Sequence, residues 1–132
     1  MGEAIEEENL YYLMEFCNCD LQKLINSRKI ISEPEAYLII VKLLKAMRFL
    51  GEKEIFHRDV KPANIGIDFK NLPTNVRFGG EQSFNDFLIN YDFITNEDNF
   101  SLKLLDFGLA TKNDEEGGKR LRGGTLQYSP PE

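Results

Sequence analysis

Residues 32–51 limit the possible folds more than any other stretch of this chain. Ser32-Glu33-Pro34-Glu35 sets an N-cap serine, a proline tolerated in a first turn and a glutamate three residues on, the capping box that opens a helix. Apolar residues then recur at 37, 40, 44 and 47, and the spacing predicts a helix running to Gly51, roughly 30 Å long at 1.5 Å per residue. Leu38, Ile39, Val41, Leu43 and Leu50 widen its apolar face beyond one stripe. Such a helix expects burial on most sides, so other elements must pack around it. It is no membrane span, because Lys42 and Lys45 cut its most apolar window far short of the roughly 20 residues required.

The elements around it are short. Residues 10–16 are aromatic and apolar enough for a buried strand, and Asn18-Cys19-Asp20 reads as its stop. Asp20 is then placed to cap a helix over residues 21–27, with Leu21, Leu24 and Ile25 on one face. Ile55-Phe56, Ile65-Gly66-Ile67 and residues 102–105 read as brief strands. Residues 68–101 carry seven aromatic residues among many Asn, Asp and Gly, too aromatic for a linker, and positions 84, 87, 88 and 91 fit one or two helical turns. The fold class is α+β.

Three ordered motifs carry chemistry. His57-Arg58-Asp59-Val60-Lys61-Pro62-Ala63-Asn64 lies between two short strands, Asp106-Phe107-Gly108 follows a third, and the chain closes on Gly124-Thr125-Leu126-Gln127-Tyr128-Ser129-Pro130-Pro131-Glu132. Singly, an Asp or Asn in a loop is a turn former and a D-F-G tripeptide is commonplace. In this order and spacing they resemble the catalytic core of a eukaryotic protein kinase. Lys61, two residues after Asp59, and Thr125 after Gly124 resemble the serine/threonine branch. The resemblance covers most of the chain, from the last strand of the small lobe through the activation segment.

It implies ATP and Mg2+ as cofactors and a protein as substrate. Asp59 would orient the acceptor hydroxyl and take its proton, and Lys61 would place positive charge beside the transferring phosphate. Asn64 and Asp106 offer hard oxygen ligands from separate loops, which suits magnesium. His57 would pack under Phe107, next to Gly108. Met14 would limit access behind adenine, the backbone of Glu15 and Cys17 would bond its edge, and Asp20 would reach the ribose. Gly66 stands where the family places a large aliphatic residue beneath adenine, so Ile65 and Ile67 are expected to supply that floor, and Gly66→Leu is expected to tighten ATP binding. Arg58 would normally meet a phosphorylated loop residue, but Leu121 stands where that residue is expected, and Asp114, Glu115 or Glu116 are read as fixed acids in its place. Glu132 would seek an Arg later in the fold.

Composition sets the remaining bounds. With 132 residues, 42% hydrophobic and 29% charged, the chain has material for one modest core. A net charge of −6, with Lys119-Arg120-Leu121-Arg122 as the one basic cluster, argues against nucleic acid as a partner. Cys17 and Cys19 lack the ligand partners for zinc and the C-x-x-C spacing of a redox pair, and read as reduced thiols. No secretory signal is visible, so an intracellular site is expected, cytoplasmic with the nucleus as an open alternative. The organisation implied is residues 1–19 as last small-lobe strand and hinge, 20–67 as helices and catalytic loop, 68–101 as an insertion, and 102–132 as magnesium-binding loop and activation segment. Against the family pattern the glycine-rich loop, the strand lysine and the later large-lobe helices are missing. Two expectations follow: an internal piece of a serine/threonine kinase, or a short inactive product serving as a non-enzymatic interaction module.

Overall fold

The computed structural model describes residues 9–112 and 125–128. Strand β1 (Cys19–Asp20) leads directly into helix α1 (Leu21–Arg28), and helix α2 (Glu33–Glu52) follows after a short turn. Asp20 caps α1 as expected, its Oδ1 accepting from the Lys23 N–H at 2.7 Å. At the start of α2 the Glu35 carboxylate accepts from the Ser32 backbone N–H at 3.1 Å and the Ser32 hydroxyl at 2.7 Å. Strand β2 (Ile55–Phe56), a 3-10 turn (Pro62–Asn64) and strand β3 (Ile65–Phe69) carry the chain through the first motif. Helices α3 (Thr74–Arg77) and α4 (Gly80–Asn90) and a second 3-10 turn (Glu97–Asn99) precede strand β4 (Phe100–Leu104). Strand β5 (Thr111–Lys112) and a 3-10 turn (Leu126–Tyr128) complete the described elements.

Two antiparallel sheets result. One has the order β1-β3-β4, with Asp20 opposite Gly66 and Gly66 opposite Lys103; the other pairs β2 with β5, Phe56 opposite Thr111. Leu24 of α1, Ile39 of α2, Ile67 and Phe69 of β3, Leu88 of α4, Phe93 and Phe100 form one buried cluster. The aromatic residues between β3 and β4 therefore build core: Phe93 meets Phe100 edge to face at 4.9 Å, and Phe69 meets Tyr91 at 4.9 Å. The helix expected around positions 84–91 runs nearly three turns, and the two ends of the 68–101 stretch belong to β3 and β4.

The expected strand over residues 10–16 does not form. Leu10, Tyr11, Tyr12, Leu13, Met14 and Phe16 are exposed, and among the described residues no strand pairs with them. A strand holds only through a ladder partner, and apolar composition cannot substitute for one. Helix α2 likewise buries one side: Ile39 is 5% exposed, whereas Tyr37, Ile40, Leu44, Met47 and Phe49 stand open.

Candidate functional site

The loop carrying the first motif hangs between β2 and β3 and is stapled to the segment before Asp106. His57, 5% exposed, donates from Nε2 to the Leu105 carbonyl at 2.7 Å, while its Nδ1 accepts from the Asp59 N–H at 3.2 Å. With the Asp59 N–H donating to Nδ1, the ring's donor to Leu105 is Nε2. The ring also meets Phe107 at 4.9 Å and 65°, the packing expected for this pair. Leu105 N–H donates to the Asn64 carbonyl at 2.8 Å, so the two motif loops share three anchoring contacts. Arg58 and Asp106 both adopt left-handed backbone, with φ of 68° and 57°. Non-glycine residues held there cost roughly 1–3 kcal/mol each, strain that surrounding contacts must hold in place.

Asp59 is the hub. Its Oδ1 accepts from the Thr125 hydroxyl at 2.8 Å and the Thr125 N–H at 3.1 Å, and its Oδ2 accepts from Asn64 Nδ2 at 3.1 Å. Lys61 Nζ donates to the same Thr125 hydroxyl oxygen at 2.8 Å and lies 3.6 Å from Asp59 Oδ2. The Thr125 hydroxyl, the Lys61 ammonium and the Asn64 amide, in that order, hold the Asp59 carboxyl below the usual carboxylate range. An ionised acceptor and an ammonium thus sit side by side, bridged by one threonine, as acid-base and phosphate-binding groups must.

Asn64 is 7% exposed, and its Nδ2 also donates to the Asp59 carbonyl at 2.9 Å. That fixes the amide's orientation and leaves Oδ1, which accepts no hydrogen bond among the described residues, as a ligand atom. Asp106 is exposed, and its Oδ1 accepts from the Gly108 N–H at 3.1 Å. No cluster of three His, Cys, Asp or Glu occurs among the described residues. One amide oxygen and one carboxylate suit magnesium, which takes few protein ligands and completes its shell with water and phosphate.

On the nucleotide side the structure corrects one expectation. Side chains alternate across a strand, so Ile65 and Ile67, both buried, lie on the face of Phe69, away from the face that Gly66 presents. They cannot form the floor at position 66. That space is taken by Cys17: a Cβ built on Gly66 would lie 2.6 Å from Cys17 Sγ and 3.1 Å from Leu105 Cδ1. A leucine at 66 would collide with Cys17 and Leu105, so the open space that the expected gain from Gly66→Leu requires is absent. Met14 is 81% exposed, with none of the packing that a limiting residue behind adenine requires. Asp20 lies at the N-cap of α1, beside Gly66 in the sheet.

Two residues read from the sequence only as a turn and a strand position hold the segment around Glu15 and Cys17 against β3 and β4. Asn18 N–H donates to the Ile67 carbonyl at 3.0 Å, and its Oδ1 accepts from the Phe69 N–H at 2.7 Å. Lys103, opposite Gly66, donates to Glu15 at 2.6 Å and lies 3.7 Å from Asp68. The Glu15 contact first, then Asp68, raises the Lys103 ammonium above its ordinary range. The alternation of β4 was the available signal, since it puts Lys103 on the Gly66 face. Both cysteines are free, and burial pushes Cys17 up and Cys19 up to about 12, so both are protonated thiols. Glu132 and the acids 114–116 lie outside the described residues, as does Gly124. A groove of about 540 Å³ lined by Glu33, Tyr37, Leu38 and Ile94 includes none of Asp59, Lys61, Asn64 and Asp106.

The family model of the protein kinase domain matches residues 2–132. The serine/threonine-protein kinase ULK3 of Rattus norvegicus is 30% identical over 128 residues, covering 96% of this chain and 21% of that protein. A probable myosin light chain kinase of Dictyostelium discoideum is 32% identical over 127 residues, with 96% and 21% covered. Among solved structures, a chain of the yeast RNA polymerase II CTD kinase complex CTDK-1 superposes with a TM-score of 0.60 at 29% identity, over 89% of this chain and 29% of that one. The chain thus spans about a fifth of the length of those two relatives.

Proposed function

This chain belongs to the protein kinase domain family, and from that premise we propose that it supplies the phosphotransfer and magnesium-binding loops of a serine/threonine protein kinase. The single observation that carries the reading is the Asp59–Thr125–Lys61 bridge with Asn64 on its other side. In this role Asp59 orients the acceptor hydroxyl of a protein and takes its proton as the oxygen attacks the γ-phosphorus of ATP and the bond to the ADP oxygen breaks. Lys61 offsets charge on the transferring group, and Asn64 Oδ1 with Asp106 would hold Mg2+, which neutralises phosphate charge. The backbone of Glu15 and Cys17 would meet adenine. Likeness to ULK3 supports serine and threonine over tyrosine.

The test is labelled γ-phosphate transfer by the full-length protein onto a mixed protein substrate, followed by phosphoamino-acid separation. Label on serine and threonine, lost by at least about 100-fold in Asp59→Asn, is the expected result. Label confined to tyrosine, or an active Asp59→Asn, overturns the reading. The 132 residues alone are expected to transfer little phosphate, because residues 10–16 and the outer face of α2 leave apolar side chains bare. A soluble, cooperatively melting 132-residue product that turns over ATP would refute that expectation.

A further inference from the structure

The segment between β3 and β4 has no part in the chemistry described above, yet it touches the nucleotide side through α1. That helix has eight residues, and helices shorter than about 12–15 residues are marginal in water unless tertiary packing holds them. Leu24 is its one fully buried residue, in the same cluster as Leu88 of α4, and neither has any exposed surface. Between the same two helices Lys23 Nζ donates to Glu81 at 2.9 Å and the Ser27 hydroxyl donates to Asn85 Oδ1 at 3.4 Å. Arg28 donates to the Tyr91 carbonyl at 3.1 Å and lies over the Phe93 ring at 5.4 Å. From position 23 to 28, then, α1 leans on the inserted segment.

The other end of α1 is Asp20. Its backbone pairs with Gly66, its Oδ1 caps the helix, and its Oδ2 accepts no hydrogen bond among the described residues. A carboxylate with one oxygen locked and one open, at the end of a helix held by a second helix, is set for a pair of neighbouring hydroxyls. We propose that residues 70–99 are a positioning element for the nucleotide: α4 holds α1 so that Asp20 Oδ2 meets the ribose diol. The proposal rests on the ATP reading given above. It makes Leu88 and Glu81 positioning residues, since neither touches the nucleotide.

Titration of the full-length protein with ATP and with 2′,3′-dideoxy-ATP tests it. A hydrogen bond to a charged acceptor predicts that the dideoxy nucleotide binds about tenfold more weakly to the unsubstituted chain. Leu88→Ala should bring that ratio below about threefold while the dideoxy affinity stays within about twofold, and Leu88→Met, which conserves volume, should keep it. Should Leu88→Ala fail to fold, Glu81→Lys leaves the core whole and should lower the ratio in the same direction, with Lys23→Glu added to restore it. Equal weakening of both nucleotides, or an unchanged ratio, overturns the positioning role and leaves the ATP reading standing. No discrimination by the unsubstituted chain overturns the Asp20 contact. Binding of neither nucleotide overturns the ATP reading itself, and this proposal with it.

Discussion

Replacing Gly66 by leucine probes the closest fit in the site. The new Cβ would stand 2.6 Å from Cys17 Sγ and 3.1 Å from both Cys17 Cβ and Leu105 Cδ1, before any further leucine atom is placed. Carbon contacts settle near 3.5–4.0 Å, so neighbours must retreat by about 1 Å on the sulfur side and several tenths of an ångström on the other. Cys17 has little room to retreat, because the next residue, Asn18, is bonded twice to β3. Overpacking of this kind costs about 1–3 kcal/mol. The more favourable strand propensity of a residue with a side chain returns roughly 0.5–1 kcal/mol.

The net expectation is a loss of about 1–2 kcal/mol in the full-length protein. Cys17→Ala alone removes one half-buried sulfur and should cost about 1 kcal/mol or less. In the double substitution the 2.6 Å contact is gone, so the two changes should couple favourably by about 1 kcal/mol. Denaturant unfolding of the four proteins, read by circular dichroism, closes the cycle. A Gly66→Leu protein as stable as its parent, or two additive changes, would refute the claim that Cys17 fills the space above Gly66.

Other contacts give equally direct tests. Thr125→Val should lower phosphotransfer at least about tenfold, since Asp59 and Lys61 lose the hydroxyl that bridges them, with the loss read in kcat rather than in KM for ATP. Because that hydroxyl lowers the Asp59 carboxyl, its stabilising effect is present above the ordinary value near pH 4 and disappears as pH falls through the lower folded value. The stability gap between Thr125→Val and its parent should therefore narrow below about pH 4, as a melting series across pH would show. Arg28→Ala leaves Glu35 without its 2.6 Å partner but with both Ser32 hydrogen bonds, and should cost about 1–3 kcal/mol by denaturant unfolding. Asn18→Ala removes the acceptor for the Phe69 N–H, so that amide should exchange faster with solvent while Ile65 keeps its protection.

What could be read without coordinates was local. The capping box at Ser32 and Glu35 and the Asp20 cap depend on residues a few positions apart, and both hold in the structure. Residues 10–16 failed because a strand is a relation between two segments, and alternation or apolar content in one says nothing of the other. The floor at position 66 failed for a related reason. Strand periodicity already put Ile65 and Ile67 on the opposite face, but only the fold brings Cys17, far away in sequence, over the glycine.

The inserted segment shows how composition can point to a role without revealing its geometry. Its aromatic residues signalled burial, yet burial against what depends on β3 and β4 closing the segment back on itself, Phe69 opposite Phe100. Once that pair forms, Phe93 is held between Phe100 and Tyr91, and Arg28 is drawn over it by the ring face and by the Tyr91 carbonyl. Arg28 in turn bonds Glu35, which closes the start of α2. A single chain of contacts therefore runs from the insertion through the end of α1 to the cap of the longest helix. If the insertion places Asp20 as proposed, substitutions in its aromatic core should alter nucleotide binding before they alter the Asp59 bridge.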